Sequence, residues 1–296
     1  MDYTEKAEVM AYNDRHYASV DPRERQKSET DTFTMEKPPS VLYHPIPTVM
    51  KMYYQWNLAG LKYYHVCGTN ERERIFTVDV HTGHSFSGPL GMKPGMYLLN
   101  GPSHKDTPVI AAIGQDTVLC GLTFSRDNII YLPSTDGQKK WDTERMRART
   151  TPKPDNNIHF CFSVDVGGGR RERFEWRKVM KSERDESTPH GGFKLLWMSA
   201  ENHDDDYDNG GPSTGDDYSK IPVVAVFSWN SFFDSPKHPY DLTLTGDERF
   251  MKLGERCFLM VLITALGLHW LNINGLTGRG PVSMVEKVKG TGKEGS

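Results

Sequence analysis

The chain has 296 residues, of which 36% are hydrophobic, enough for one large domain or two ordinary ones with a substantial core. Lys and Arg number 36 against 39 Asp and Glu, a balance that gives no electrostatic ground for nucleic acid as a partner. The four cysteines, Cys67, Cys120, Cys161 and Cys257, lie far apart without CxxC spacing, which fits buried thiols in a reducing compartment rather than a disulfide scaffold.

The first residues, MDYTEKAEVM, lack the basic flank and apolar core of a signal peptide, so ordinary secretion is not expected. A cytoplasmic location is expected, with nuclear or membrane-peripheral placement as alternatives. Residues 1–39 are polar and rich in charge, with a short amphipathic stretch at 4–12, and read as a flexible or loosely docked arm. Pro38, Pro39, Pro45 and Pro47 interrupt any regular element, so an ordered domain is expected over 40–278. Val41, Leu42, Tyr43 and Ile46 are too apolar for a free linker.

Short β-prone runs follow at 61–67, 74–80, 95–99, 108–113, 118–124 and 128–132, separated by Gly, Pro, Asn or Asp at the spacing of antiparallel hairpins. Within them, DVHTGH sets Asp79, His81 and His84 close together. Strand alternation puts Asp79 and His81 on one face, and Gly83 lets the chain bend His84 towards them. These three are the candidate metal-binding or catalytic residues, with a further ligand required from elsewhere; the competing reading is a polar turn with ordinary hydrogen-bonding histidines. No cofactor is expected.

A second series of strands is predicted at 158–166, 173–177, 193–199, 223–229 and 242–244. Without a crossover helix between successive strands, a βαβ architecture is excluded. In RERFEWR, residues 171–177, Phe174 and Trp176 share one face while Arg173, Glu175 and Arg177 take the other, the pattern of a half-buried strand with a solvated charged face. The preceding Gly167-Gly168-Gly169 reads as a turn, since no Walker lysine and serine follow. Residues 181–190 read as an exposed turn. His159, Asp165 and Ser228 can be combined into acid–base triads on paper, yet linear order supplies no geometry and no GxSxG elbow is present.

Residues 201–220, ENHDDDYDNGGPSTGDDYSK, form an acidic insertion expected to be a disordered loop. Its Asp204, Asp205, Asp206 and Asp208 could attract calcium, but the Gly and terminal Glu of an EF-hand are missing. Residues 257–273, CFLMVLITALGLHWLNI, are then apolar almost without interruption. Seventeen helical residues reach about 25 Å, short of a hydrocarbon core of about 30 Å, and His269 lies among them, so no transmembrane span is expected. Gly254 and Glu255 suit the helix start, and residues 272–275 its stop. A helix apolar all round must be enclosed on every side. Phe258, Leu259, Val261, Leu262, Ile263, Leu266, Leu268 and Leu271 are therefore expected to meet strands in different directions, as in a mainly β fold closed into a single antiparallel barrel. Residues 279–296 read as a flexible tail.

RERFEWR at 171–177, GGFKLLWM at 191–198, VVAVFSW at 223–229 and LGERCFLMVLITALGL at 253–268 together resemble the tubby C-terminal-like group. More narrowly, they are similar to its fungal branch near the LURP-one-related and phospholipid-scramblase-like proteins. The resemblance covers residues 54–276 and is strongest after Ile158. It implies a twelve-stranded antiparallel barrel threaded by the C-terminal helix, and a role at anionic membrane lipids. Lys62, Arg171, Arg173 and Arg177 are the candidate ligand-binding residues. The expected function is a non-enzymatic binding or scaffold module for an anionic lipid headgroup or a protein partner. The alternative is an enzyme or small-ligand protein with a pocket at a barrel mouth near His81 and His84.

Overall fold

The computed structural model describes residues 45–57, 60–83, 88–104, 107–116, 127–134, 140–150, 157–167, 169–198, 221–231, 233, 235–246 and 248–278. All of them belong to one compact unit, Lys37–Ser296. The sequence-based expectations for residues 1–39, the strand at 118–124, His84, Cys120, the acidic insertion 201–220 and the tail 279–296 lie outside the described residues.

Twelve strands run in chain order: β1 (Val49–Asn57), β2 (Gly60–Cys67), β3 (Arg74–His81), β4 (Gly95–Leu99), β5 (Val109–Gln115), β6 (Asn128–Pro133), β7 (Trp141–Thr150), β8 (Ile158–Asp165), β9 (Arg171–Lys178), β10 (Gly192–Met198), β11 (Val223–Trp229) and β12 (Tyr240–Leu244). Each pairs antiparallel with its sequence neighbour, and β1 pairs with β12, so the sheet closes on itself. Closure leaves no strand edge exposed for pairing with another chain. Two of the twelve, β1 and β7, were not among the predicted strands. In β1 the inward residues are Met50, Met52 and the partly buried Tyr54, none of them β-branched. In β7 the core receives only Met146 and, in part, Ala148, while half of the strand is charged.

The helix α1 (Glu248–Met251) is a single turn that sends Phe250 into the core. It leads to α2 (Glu255–Ile273), which fills the barrel. Its start falls at Gly254 and Glu255, as expected. Gly254 caps it at φ 85°, a left-handed value that glycine adopts without a Cβ clash, and Gly275 beyond its end is also left-handed at φ 67°. Leu259 to His269 and Leu271 are all buried. Of the eight residues expected to face strands, Phe258 is half-buried and the other seven are no more than 4% exposed. By length and composition α2 could cross a membrane; here its apolar surface is enclosed by the twelve strands.

Several polar groups inside are hydrogen-bonded locally. Trp176 Nε1 donates to Thr264 Oγ1 at 2.9 Å, which in turn donates back to the helix carbonyls of Met260 and Val261. Trp197 Nε1 donates to Glu172 at 2.7 Å. Arg256 fixes the start of α2 to the barrel rim, donating to the Pro133 and Asp165 carbonyls and to the Asp142 carboxylate. At the other end, the Lys178 ammonium donates to the carbonyl of Thr277, and burial lowers its pKa.

Candidate functional site

Of the cluster expected around DVHTGH, Asp79 and His81 are described, and His84 lies outside the described residues. Asp79 and His81 share a face of β3, but the Asp79 carboxylate meets His104 at 3.1 Å, and His81 Nε2 donates to the carbonyl of Gly91 at 2.6 Å. His81 also packs on Tyr97. Through Nε2, His81 braces the turn before β4.

The structure instead draws attention to the outer wall of β7, β8, β9 and β10. Along β8 and β9, Phe160, Phe162, Val164, Phe174 and Trp176 enter the core, and so do Leu195 and Trp197 of β10; the alternate residues therefore face outwards. Register sets Arg149, His159, Arg177 and Lys194 in one row across the four strands. The next row holds Arg147, Cys161, Glu175 and Leu196, and beyond it come Ser163, Arg173 and Met198, then Asp165 and Arg171. The positions so aligned carry six basic residues (Arg147, Arg149, Arg171, Arg173, Arg177, Lys194) and two acidic ones (Asp165, Glu175).

Three of the four predicted ligand-binding residues, Arg171, Arg173 and Arg177, thus stand on one face of one strand. Lys62 does not join them. It lies on β2, which strand order places across the barrel from β8 and β9, and its side chain is outside the described residues. Arg147, Arg149 and Lys194 join in its place. The sequence does not point to the two from β7, because that strand carries too little hydrophobic signal for its alternation to be read.

Neighbouring carboxylates hold several of these cations in place. Glu144 takes Arg171, which also donates to Ser163 Oγ at 2.9 Å. Glu183 stands 3.9 Å from Arg177, and Asp185 accepts from Lys194 at 2.7 Å. That hydrogen bond, with others from Ser187 and Thr188, keeps the Asp185 carboxyl well below its ordinary pKa. Beside this wall opens a groove of about 270 Å³ lined by Arg177, Lys178, Val179, Glu183, Lys194, Leu196 and Val223. A second hollow, about 410 Å³, lies where Arg171 and Arg256 meet Asp142, Glu144 and Asp165. In both, the cations stand beside carboxylates: Arg177 and Lys194 next to Glu183 and Asp185 in the first, Arg171 and Arg256 next to Glu144 and Asp142 in the second.

One feature of the wall corrects the expected solvated face. Glu175 is only 2% exposed, as is its neighbour His159 at 1%, with Cys161 at 7%. Glu172, which alternation places with Phe174 and Trp176, is also buried and is held by Trp197 and by Arg170 at 2.9 Å. A buried carboxylate persists only when it is paired or hydrogen-bonded, which Glu172 achieves through both neighbours. Comparison of the chain with protein-family models, with curated proteins and with solved structures returns no match.

Proposed function

We propose that the chain is a non-enzymatic binding module, tubby-like in kind, whose arginine-bearing outer wall recognises a phosphorylated lipid headgroup at an anionic membrane surface. The observation that carries this reading is the alignment of Arg147, Arg149, Arg171, Arg173, Arg177 and Lys194 across β7 to β10. Guanidinium groups present forked donors that match phosphate oxygens, and a fixed strand ladder holds them without the entropy cost of ordering a loop. The closed barrel around an apolar helix supports the tubby-like grouping, because that resemblance implies the same architecture.

Attraction to an anionic surface is worth about 1 kcal/mol per basic residue near it and weakens as salt shortens the screening length. Flotation with vesicles containing phosphatidylserine or a phosphoinositide should therefore recover the protein at low salt and lose most of it at high salt. Joint substitution Arg171→Ala and Arg173→Ala should weaken association about 30-fold, the equivalent of two such contacts. Thermal melting of the variant guards against misfolding. Failure of the wild-type chain to float with either vesicle at low salt would end the proposal, and binding only to an acidic protein would redirect it.

A further inference from the structure

We propose that His159, Cys161 and Glu175 bind a divalent metal ion of borderline softness, zinc being the first candidate. The three residues come from the two strands of one hairpin. Cys161 and Glu175 are direct cross-strand partners, and His159 is two residues along β8 on the same outward face. Each offers a donor atom, and these atoms all lie within 4.8 Å of one another.

The distances suit a shared ion. His159 Nδ1 stands 3.2 Å from Glu175 Oε1, and Cys161 Sγ stands 3.9 Å from Glu175 Oε2. Ligand atoms at the corners of a tetrahedron with bonds of 2.0–2.3 Å are separated by about 3.3–3.7 Å, so small side-chain rotations would seat one. The histidine and glutamate atoms, though close, are not aligned as a hydrogen bond. Among the described residues, neither ring nitrogen of His159 nor Glu175 Oε1 has a hydrogen-bond partner, although both side chains are buried. A buried polar group left so costs about 1–3 kcal/mol, and a metal ion would satisfy the nitrogen and the oxygen together.

Charge and donor type narrow the ion. A Glu175 carboxylate and a Cys161 thiolate balance a dication, so Arg147 and Arg177, the cross-strand neighbours of Cys161 and His159, would flank a neutral centre. Binding releases the thiol proton as the sulfur becomes a thiolate ligand. One sulfur, one nitrogen and one carboxylate select zinc and its neighbours over magnesium or calcium, which take oxygen ligands. Three protein donors leave a fourth tetrahedral position to water.

The test is a titration of the full chain, first stripped with a chelator, with cobalt(II) alone and then zinc. Expected is a thiolate-to-cobalt charge-transfer absorption that saturates at one equivalent and is removed by one equivalent of zinc. Cys161→Ser should abolish that absorption. Glu175→Gln should keep it but weaken cobalt affinity at least about tenfold, which keeps the test decisive if the cysteine variant fails to fold. No thiolate band in the folded wild type would overturn the site. So would a band that persists in Cys161→Ser, or an affinity unchanged in Glu175→Gln.

Discussion

His269 lies in the last two turns of α2, 2% exposed, with the rings of Tyr64, Tyr240 and Trp229 around it and its Nε2 3.2 Å from the Tyr54 hydroxyl. Burial pushes its pKa from 6.5 down to about 3, because an imidazolium there would lose its hydration. His65, on β2, is lowered in the same direction to about 4, again chiefly by burial. In the unfolded chain each ring takes a proton below pH 6.5, whereas in the folded chain it stays neutral until far lower pH. Stability is therefore complete above 6.5 and falls as the pH drops towards the folded values, by about 1.4 kcal/mol per pH unit for each fully buried ring. Urea denaturation at pH 7.5 and pH 5 should show the loss. His269→Phe should reduce that loss by about 2 kcal/mol, since phenylalanine keeps the ring contacts and binds no proton. An identical pH slope in the variant and the wild type would show that this ring is not the acid-sensitive group.

At the scale of elements, helix and barrel approach each other closely at Gly267. A Cβ there would stand 2.4 Å from Ile113 Cδ1 on β5 and 3.3 Å from Met146 Cε on β7. Gly267→Ala should cost up to about 2 kcal/mol, because overpacking of about 1–3 kcal/mol is set against a helix-propensity gain of about 1 kcal/mol. Ile113→Val removes the offending methyl, so the double variant should be more stable than the sum of the two single changes, as a denaturation double-mutant cycle would read. Additive costs would mean that the helix shifts instead. The helix and most strands were legible because their apolar residues recur with period 2 or form one uninterrupted run. β7 was not, since a strand whose outer face carries Arg145, Arg147 and Arg149 and whose inner face adds little beyond Met146 has almost no hydrophobic period. The wall was half legible. Arg171, Arg173 and Arg177 share a face by alternation alone, but the His159, Cys161 and Glu175 grouping needs the register of two strands. The glycine turn at 167–169 contained that information: residues equidistant from its middle pair, which brings Cys161 opposite Glu175.

For the whole molecule, the barrel and its helix depend on each other. Strands of mixed polarity close around α2 because its apolar circumference gives their inward residues, from Met50 and Phe76 to Phe160 and Trp176, a common surface to cover. Each fully buried aliphatic or aromatic side chain contributes about 1.5–3 kcal/mol, while a folded domain is stable by only about 5–15 kcal/mol in total. Removing a helix with most of its side chains buried therefore exceeds the net stability, and a barrel of this size cannot collapse to fill the space. A chain truncated after Leu253 should lose cooperative thermal unfolding and near-ultraviolet circular dichroism, and should expose apolar surface that binds a hydrophobic dye. A helix meant for a lipid bilayer would behave otherwise, because the strands would then hold a core without it. A truncated chain that stays monomeric and unfolds cooperatively would mean that the strands do not need the helix, and that its place inside them is not what stabilises the fold.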